Sequence, residues 1–307
     1  MSTETTTESA DSDEIDNSAV ESAPESQQDE PTTDQALDGE GAPTPSEHEE
    51  TDEPMSTGPL ETFRAAIQSE PLKNILRALR ATVDEARVKI DESGIRVRAV
   101  DPANVAMDDL DLSASAFESY EATPGVIGID LDRLWDAVSL ANNGDLVQLH
   151  LDTESRKLVV AVTGLEFQMA CLDPATIRSE PTLPELELPA SVTVDRDTLR
   201  QGVKAADLVA DHVGLRMDPD EEVFRIDAEG DTDSVDFRID ADDWEAVTLA
   251  EASSLFSLDY MKKIVRTIPA GTAVTIDFGT EFPAMLSYDI GDGDGSMIRM
   301  LAPRIET

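Results

Sequence analysis

The chain of 307 residues repeats itself at a spacing of 127 positions. Residues 129–151 align without a gap on residues 256–278, so that the apolar positions of the two segments coincide and Gly144 falls on Gly271. A sequence built from two copies of one unit has to be interpreted as a repeat before any element is assigned. The chain is also long enough for each copy to have its own core. We therefore expect two similar domains.

An amphipathic helix opens each copy. Residues 70–82 place apolar side chains at positions i, i+3, i+4 and i+7, which is one face of an α-helix. Ser69 is expected to cap this helix, and Pro71 suits its first turn. Residues 197–211 repeat the pattern in the second copy. Basic residues occupy the opposite face, namely Lys73, Arg77 and Arg80 in the first copy and Arg200 and Lys204 in the second.

A basic helix face is ordinarily a solvated surface. This chain, however, contains 66 acidic residues and only 23 Lys and Arg residues. Basic residues that recur on one face of two related helices therefore favour a functional surface.

Short strands and a second helix fill the rest of each copy. Residues 131–142 predict this helix, with Trp135 on its core face and Gly144 at its end. Apolar residues alternate before and after it, and Gly94 provides a turn between two such strands. Further strands are predicted at 146–151, 157–162 and 165–171. Two helices and many hairpin strands per copy indicate an α+β fold built on antiparallel sheets.

Composition divides the chain into four parts. Residues 1–58 hold 18 acidic residues and no Lys or Arg, which predicts a disordered acidic tail. Alternatively, translation starts at Met55 and the tail is not made. Residues 59–172 form the expected first domain, and residues 173–189 contain four prolines and form a connecting loop. Residues 190–307 form the second domain.

The formal charge of −43 has three interpretations. Without the tail, the chain still has 48 acidic and 23 basic residues, which gives a formal charge of about −25. An acidic surface with six Lys against 17 Arg is typical of a halophilic cytoplasm. The alternatives are an acidic interaction protein or DNA mimic, and a tail that only improves solubility. Acidity in both tail and body favours the halophilic interpretation, which concerns solvent rather than fold.

Several classes of protein are disfavoured by the sequence. Cys171 is the only cysteine, so no disulfide can form within the chain and a reducing cytosol fits. The sequence has no apolar run of about 18 residues, which a membrane helix would need. Its N-terminus is acidic, unlike a secretory signal. We expect a cytoplasmic protein.

The sequence offers no convincing catalytic or metal site. His48, His150 and His212 are far apart, and no P-loop, GxGxxG or Ser/His/Asp pattern is present. Residues 289–297, DIGDGDGSM, partly match an acidic calcium loop, but Met297 stands where such a loop needs Gly. We expect a hairpin turn there. The prediction is a protein that is not an enzyme and has no metal or cofactor.

Three segments carry a family resemblance: AVDPANVAMDDLDL at 99–112, LFSLDYMKKI at 255–264 and MLAPRIET at 300–307. In combination they resemble the proliferating cell nuclear antigen sliding clamps, and haloarchaeal members most. The resemblance covers about residues 60–307 and excludes the tail. It implies a closed ring of three two-domain subunits that encircles duplex DNA. Helices would line the hole, and DNA polymerase, the clamp loader and other replication and repair enzymes would dock outside it.

The resemblance also implies which residues face DNA. Their contacts with the duplex would not depend on the base sequence. The candidates are Lys73, Arg77, Arg80, Arg200, Lys204, Lys262, Lys263 and Arg266. Asp136 and Ser139 stand where the second copy has Lys263 and Arg266. The implied lining is therefore less basic than in many relatives.

A pocket for short peptide motifs of partner proteins is the other implied site. Its candidate residues are Val100, Asn104, Val105, Ile177, Leu183, Pro184, Pro283, Met300, Ala302 and Pro303. Whether the ring is a homotrimer or a heterotrimer is left open by the sequence. The alternative function is an acidic clamp paralogue that binds replication proteins without loading on DNA.

Overall fold

The computed structural model describes Gly58 and residues 60–183 and 186–304. Apart from Gly58, the predicted acidic tail lies outside the described residues, as does Met55 within it. Pro184 and the last three residues of the MLAPRIET segment also lie outside them. We refer to residues 60–172 as repeat one and to residues 190–304 as repeat two.

Repeat one consists mainly of strands, with two helices among them. Its elements are β1 (Phe63–Gln68), α1 (Ser69–Arg80), β2 (Glu85–Asp91), β3 (Gly94–Val100), β4 (Ala106–Ser113), β5 (Ser119–Ala122), β6 (Gly125–Asp130), α2 (Leu131–Val138), β7 (Leu146–Asp152), β8 (Lys157–Val162) and β9 (Leu165–Ala170).

Repeat two has the same order of strands and helices. Its elements are β10 (Ala190–Asp195), α3 (Arg196–Ala206), β11 (His212–Asp218), β12 (Val223–Glu229), β13 (Ser234–Asp240), β14 (Trp244–Thr248), β15 (Ala252–Ser257), α4 (Leu258–Thr267), β16 (Ala273–Phe278), β17 (Ala284–Ile290) and β18 (Gly295–Leu301). Strands β1 and β10 lie 127 positions apart at both ends, as the sequence repeat predicts. The expected hairpin turn at Gly291–Gly293 is present between β17 and β18.

The described strands form three antiparallel sheets. A five-stranded sheet of repeat one has the order β5-β1-β7-β8-β9, and a four-stranded sheet of repeat two has the order β13-β12-β11-β15. The third sheet has nine strands, in the order β14-β10-β16-β17-β18-β4-β3-β2-β6, and belongs to both repeats. Pairing of β18 with β4 joins the repeats in this sheet. The fold is therefore α+β with antiparallel sheets, as predicted.

Alternating side chains make one face of each sheet the core. In β7, for example, Val147, Leu149 and Leu151 are buried while the residues between them are exposed or half-buried. This alternation follows from the two-residue period of a strand. The helices pack in pairs, α1 with α2 and α3 with α4, and α1 also contacts α4. No helix in the described part of the chain is long and apolar enough to cross a membrane.

Two helix boundaries differ from those expected. Helix α1 begins at Ser69, and Gln68 is the flanking residue, so Ser69 does not cap it. Instead the buried Ser69 hydroxyl donates a hydrogen bond of 2.7 Å to the Asn142 carbonyl oxygen. Helix α2 ends at Val138 rather than at Asn142. Residues 139–145 form a loop whose carbonyl oxygens accept hydrogen bonds from α1.

A buried ion pair lies where the two repeats meet. Arg299 of β18 and Asp108 of β4 are register partners with no solvent exposure. The Arg299 Nε atom donates to Asp108 Oδ1 at 2.8 Å, and Nη2 donates to Oδ2 at 3.1 Å. Burial acts to lower the pKa of Arg299, but the Asp108 carboxylate outweighs it and holds that pKa above its usual value. The guanidinium therefore stays charged.

Arg299 also connects the sheet to two helices. Its Nη2 atom donates to the Ala78 carbonyl oxygen near the end of α1 at 2.9 Å, and to Thr82 Oγ1 at 2.8 Å. Its Nη1 atom donates to Thr267 Oγ1 at the end of α4, at 2.6 Å. One side chain therefore fixes α1, α4 and both repeats relative to one another.

Replacing Arg299 by Met should destabilise the fold, because Asp108 would remain buried without its partner. Removing one member of a buried ion pair typically costs about 3–5 kcal/mol, and we expect R299M to lower the free energy of unfolding by that amount. Chemical denaturation at fixed salt and protein concentration measures the change. The control D108L/R299M leaves no buried charge and should be more stable than R299M. Unchanged stability of R299M would contradict this role.

Candidate nucleic-acid interface

Basic residues are concentrated on the four helices. These helices hold ten of the 23 Lys and Arg residues of the chain but only five of its 66 Asp and Glu residues. Their surface is therefore basic on a chain that is strongly acidic elsewhere. The basic residues are Lys73, Arg77, Arg80, Arg133, Arg196, Arg200, Lys204, Lys262, Lys263 and Arg266.

The most available cations lie on repeat two. Arg200 and Lys204 on α3 and Arg266 on α4 are exposed, and none of them has a hydrogen bond or ion pair to another described residue. Lys263 is also exposed, and its Nζ atom lies 5.3 Å from the centroid of the Tyr260 ring. Lys262 is half-buried and paired at 2.8 Å with Asp207, which follows α3. Four of these five cations thus have no acidic partner among the described residues.

On repeat one, the two arginines of α1 are restrained. Arg77 is exposed and donates to Asn74 Oδ1 at 2.8 Å. Arg80 is half-buried and forms an ion pair with Asp132 at 2.5 Å. Both guanidinium groups lie over Trp135, at 5.2 and 5.1 Å from the ring centroid. Trp135, predicted on the core face of α2, packs against the core and is half-buried, and the two arginines lie over its ring.

Lys73 differs from its expected position. The sequence predicts a solvent-facing lysine, but Lys73 is 8% exposed, and its ammonium donates a hydrogen bond of 2.5 Å to the Ala141 carbonyl oxygen. The side chain lies in the contact between α1 and the loop after α2, where its ammonium and the Ser69 hydroxyl donate to carbonyl oxygens of that loop. Lys73 therefore supports the fold, and the expectation that it faces DNA is corrected. Its counterpart in repeat two, Arg200, is exposed.

A second candidate site lies at one end of the nine-stranded sheet. Strand pairing aligns Ala106 of β4 with Leu301 of β18, and Leu301 with Ala284 of β17. The adjoining residues Val105, Ala302 and Pro283 therefore gather at the same end. Val100 and Met300 lie at this end as well, because both pair with Met107. The register thus brings together five residues of the expected partner pocket.

Asp101 organises the loop that contains Asn104 and Val105. Its carboxylate accepts hydrogen bonds from the backbone N–H groups of Ala103, Val105 and Ala106 at 3.0, 2.6 and 2.8 Å. It also accepts one of 2.8 Å from the Tyr260 hydroxyl on α4. Burial acts to raise the pKa of Asp101, but these hydrogen bonds prevail and hold it below its usual value. The bonds explain why Asn104 keeps a positive φ of 59°.

The connecting loop is attached to repeat one beside this site. Arg178 donates to the Asp101 carbonyl oxygen at 2.8 Å and to the side chain of Asn104. Lys89 of β2 pairs with Glu180 at 2.6 Å. Ile177 is buried, and together with Val100 it lines an open cavity of about 580 Å³.

The remaining pocket candidates are less well connected. Leu183 and Pro303 are half-buried, and Ala302 donates from its backbone N–H to the Val105 carbonyl oxygen at 2.8 Å. Pro184 lies outside the described residues. Sequence reasoning missed Asp101, Arg178 and Tyr260, although Asp101 and Tyr260 stand within the segments that carried the resemblance. Their partners lie up to 159 positions away, so no local spacing reveals them.

The different environments of Lys73 and Arg200 predict different effects of charge reversal. K73E would bury a carboxylate facing the Ala141 carbonyl oxygen, so we expect the free energy of unfolding to fall by about 2 kcal/mol or more. The matched variant R200E alters an exposed side chain and should change it by at most about 0.5 kcal/mol. Chemical denaturation in the same buffer compares them. Equal effects of the two substitutions would show that Lys73 is not structural.

The pKa of Asp101 predicts a dependence of stability on pH. Because this pKa is lower in the folded chain, its contribution to stability is complete above the unfolded value of about 3.9. It is lost as the pH falls through the folded-state pKa. D101N, which cannot ionise, should be less stable than the wild type at neutral pH, and the difference should shrink in acid. A difference that stays constant down to pH values below about 3.9 would contradict the assignment.

Comparison with known proteins identifies relatives along most of the chain. The sequence profile of the proliferating cell nuclear antigen N-terminal domain matches residues 63–168. The DNA polymerase sliding clamp of Natronomonas pharaonis is 49% identical over 245 residues, which is 80% of this chain and 99% of the relative. That of Halobacterium salinarum is 44% identical over the same shares. The remaining fifth of the chain has no counterpart in these two relatives.

Solved structures give the same result. A structure described as the C-terminal region of FEN-1 bound to A. fulgidus PCNA matches with a TM-score of 0.76 and 39% identity, covering 80% of this chain and 99% of that one. PCNA from Thermococcus kodakaraensis matches with a TM-score of 0.74 and 26% identity, covering 79% and 100%. With its repeated α+β fold and its clustered basic helices, the chain belongs to the proliferating cell nuclear antigen family of DNA polymerase sliding clamps.

Proposed function

We propose that this protein is a DNA sliding clamp, which encircles duplex DNA and holds DNA polymerase and other replication and repair enzymes on it. The observation that carries the proposal is the segregation of charge, with ten basic and five acidic residues on the helices of a chain whose formal charge is −43. Phosphate groups are the partners that such a surface attracts. Membership of the sliding clamp family supports the same function.

We propose that the closed ring stays on DNA because it encloses the duplex, and not because it binds the duplex tightly. Contacts between basic side chains and phosphates carry no sequence information, so a clamp that uses them can move along DNA. Each phosphate contact lowers log K by about 0.9 for each tenfold rise in salt. A closed ring remains on DNA even where these contacts are weak, and it needs no catalytic residue. This mechanism suits a halophilic cytoplasm, which we propose as the setting of the protein.

The proposed ring closes through two strands at sheet edges. Strand β9 is at the edge of the five-stranded sheet and β13 at the edge of the four-stranded sheet. Both strands alternate between residues that pack inward and polar or small residues that are exposed. An unpaired strand edge offers backbone groups to another chain. Pairing of β9 in one subunit with β13 in the next, repeated three times, would give a homotrimer.

The second candidate site would receive partner proteins. Apolar residues meet there at the end of four neighbouring strands, and the connecting loop lies beside them. Met285, Met300 and Met107 are neighbours across β17, β18 and β4, in that order. Methionine side chains adapt to varied surfaces, which suits a site that binds several peptides. DNA polymerase, the clamp loader and a FEN-1-type nuclease are the proposed partners.

Retention on circular DNA tests the main function. After treatment with a clamp loader, the protein should stay on nicked circular DNA and be lost when the circle is cut, because a linear molecule has open ends. R77E/K204E should reduce loading and polymerase processivity about tenfold or more, since it replaces two phosphate contacts by repulsion. Gel filtration of the DNA–protein mixture, together with primer extension, measures both effects.

The same experiment separates the two candidate functions. The control R156E changes an exposed arginine between β7 and β8, away from the helices, and should load normally. A protein that binds polymerase but never remains on circular DNA would instead be a clamp paralogue that acts only through protein interactions.

The salt concentration should determine whether the three subunits stay assembled. The chain without its first 58 residues carries a charge of about −25, so three subunits repel one another strongly when the Debye length is about 10 Å at 0.1 M salt. At 1 M the Debye length is about 3 Å and most repulsion is screened. We expect trimers in molar salt that separate into monomers as salt is removed, before the domains unfold. Light scattering and circular dichroism during dialysis test this, and a trimer that survives at about 0.1 M salt would contradict it.

A further inference from the structure

Trp135 lies under two candidate DNA-facing arginines. The guanidinium carbons of Arg77 and Arg80 are 5.2 and 5.1 Å from the centroid of its indole ring, within the range of a cation–π contact. The two arginines are three positions apart on α1, and Trp135 reaches them from α2. One aromatic ring of α2 therefore contacts both arginines on the basic face of α1.

Both guanidinium groups keep donors for a ligand. Each has five N–H donors. Among the contacts of the described residues, Arg77 uses one for Asn74, and Arg80 uses Nε and Nη2 for Asp132. The distances to the ring are those of the guanidinium carbons, and none of the hydrogen bonds of either arginine among the described residues goes to Trp135. Both arginines thus contact Trp135 while they keep N–H donors that no described residue uses.

Repeat two lacks this arrangement and provides a comparison within the same chain. At a spacing of 127, Trp135 corresponds to Lys262, Arg80 to Asp207 and Arg77 to Lys204. Lys262 and Asp207 form a partly exposed ion pair, and Lys204 has no partner among the described residues. Repeat two therefore presents Lys204 without a partner and Lys263 beside the single ring of Tyr260, whereas repeat one presents two arginines that share one tryptophan.

The aromatic contact also withstands salt better than the neighbouring ion pair. Exposed pairs such as Arg80 with Asp132 are weak and screened at high ionic strength. Stacking of a guanidinium on an aromatic ring includes close van der Waals packing, and the guanidinium is only weakly hydrated. A chain this acidic needs fixed arginines in strong salt if its few basic residues are to contact phosphates productively.

We propose that Trp135 is a positioning residue that holds Arg77 and Arg80 in the orientation in which they contact the phosphodiester backbone. The inference rests on the proposed sliding clamp function and deepens it. It assigns repeat one a preorganised phosphate contact that repeat two does not have. Trp135 acts through the arginines and makes no direct contact with DNA.

A double-mutant cycle on the full chain tests this role. Fluorescence anisotropy of a short labelled duplex of mixed sequence gives Kd at several KCl concentrations. W135L should weaken binding about fivefold, as expected when two exposed cation–π interactions are removed. The slope of log K against log salt should not change, because the same arginines still meet the phosphates. R77Q/R80Q should weaken binding and also reduce the slope by about 0.9 for each phosphate that is no longer neutralised.

The decisive comparison is W135L in the R77Q/R80Q background, where it should have no further effect. A further weakening there, or an unchanged Kd for W135L alone, would overturn the proposal. The control W244L removes the other tryptophan, which lies on β14 and has no cation–π contact among the described residues, and should bind DNA normally. If W135L does not fold, W135F decides: its smaller ring should weaken binding about twofold, and an unchanged Kd would overturn the proposal.

The same titration distinguishes this inference from the function on which it rests. If the wild-type chain binds no duplex at any salt concentration and is not retained on circular DNA, the proposed function fails. If the wild type binds and is retained but W135L and W135F match it, only the role of Trp135 fails.

Discussion

The buried pair of Arg299 and Asp108 is the interaction on which the arrangement of both repeats depends. It lies in the pairing of β18 with β4, where the two repeats share one sheet, and it also holds the ends of α1 and α4. A buried charge is tolerated only when its partners satisfy it. Any relative movement of the repeats would break several of these bonds at once. The basic helices are therefore presented at fixed positions.

Charge is distributed so that solubility and DNA contact do not conflict. Acidic residues cover most of the chain, and basic residues collect on four helices that pack together. Within that basic surface the two repeats differ, since Arg77 and Arg80 share the Trp135 ring in repeat one, whereas Arg200, Lys204 and Arg266 of repeat two have no partner among the described residues. The two repeats share one framework, and the residues at single corresponding positions give their cations different surroundings.

Local sequence patterns predicted the repeat, the amphipathic helices and the antiparallel α+β fold, because a periodicity of 3.6 or 2 residues is visible within a short segment. Those patterns could not place Lys73, Ser69 or Asp101. Lys73 and Ser69 bond to carbonyl groups 68 and 73 positions away, and Asp101 bonds to Tyr260 across the two repeats. Such partners are set by tertiary packing. A basic residue on a polar helix face gives no sign that its ammonium is buried.

The junction between repeats has an equivalent at the sheet edges. When the equivalent strands of the two repeats are matched by their register, Phe167 of β9 occupies the position that Arg299 has in β18. In the same way, Val235 of β13 occupies the position that Asp108 has in β4. Both edge residues are apolar and half-buried. In the proposed ring, the junction between repeats therefore contains a buried ion pair, whereas the junction between subunits has apolar residues at the corresponding positions of the paired strands. A clamp loader could therefore separate two subunits without leaving a buried charge unpaired. Within each subunit, the pair of Arg299 and Asp108 would keep the two repeats together while the ring opens.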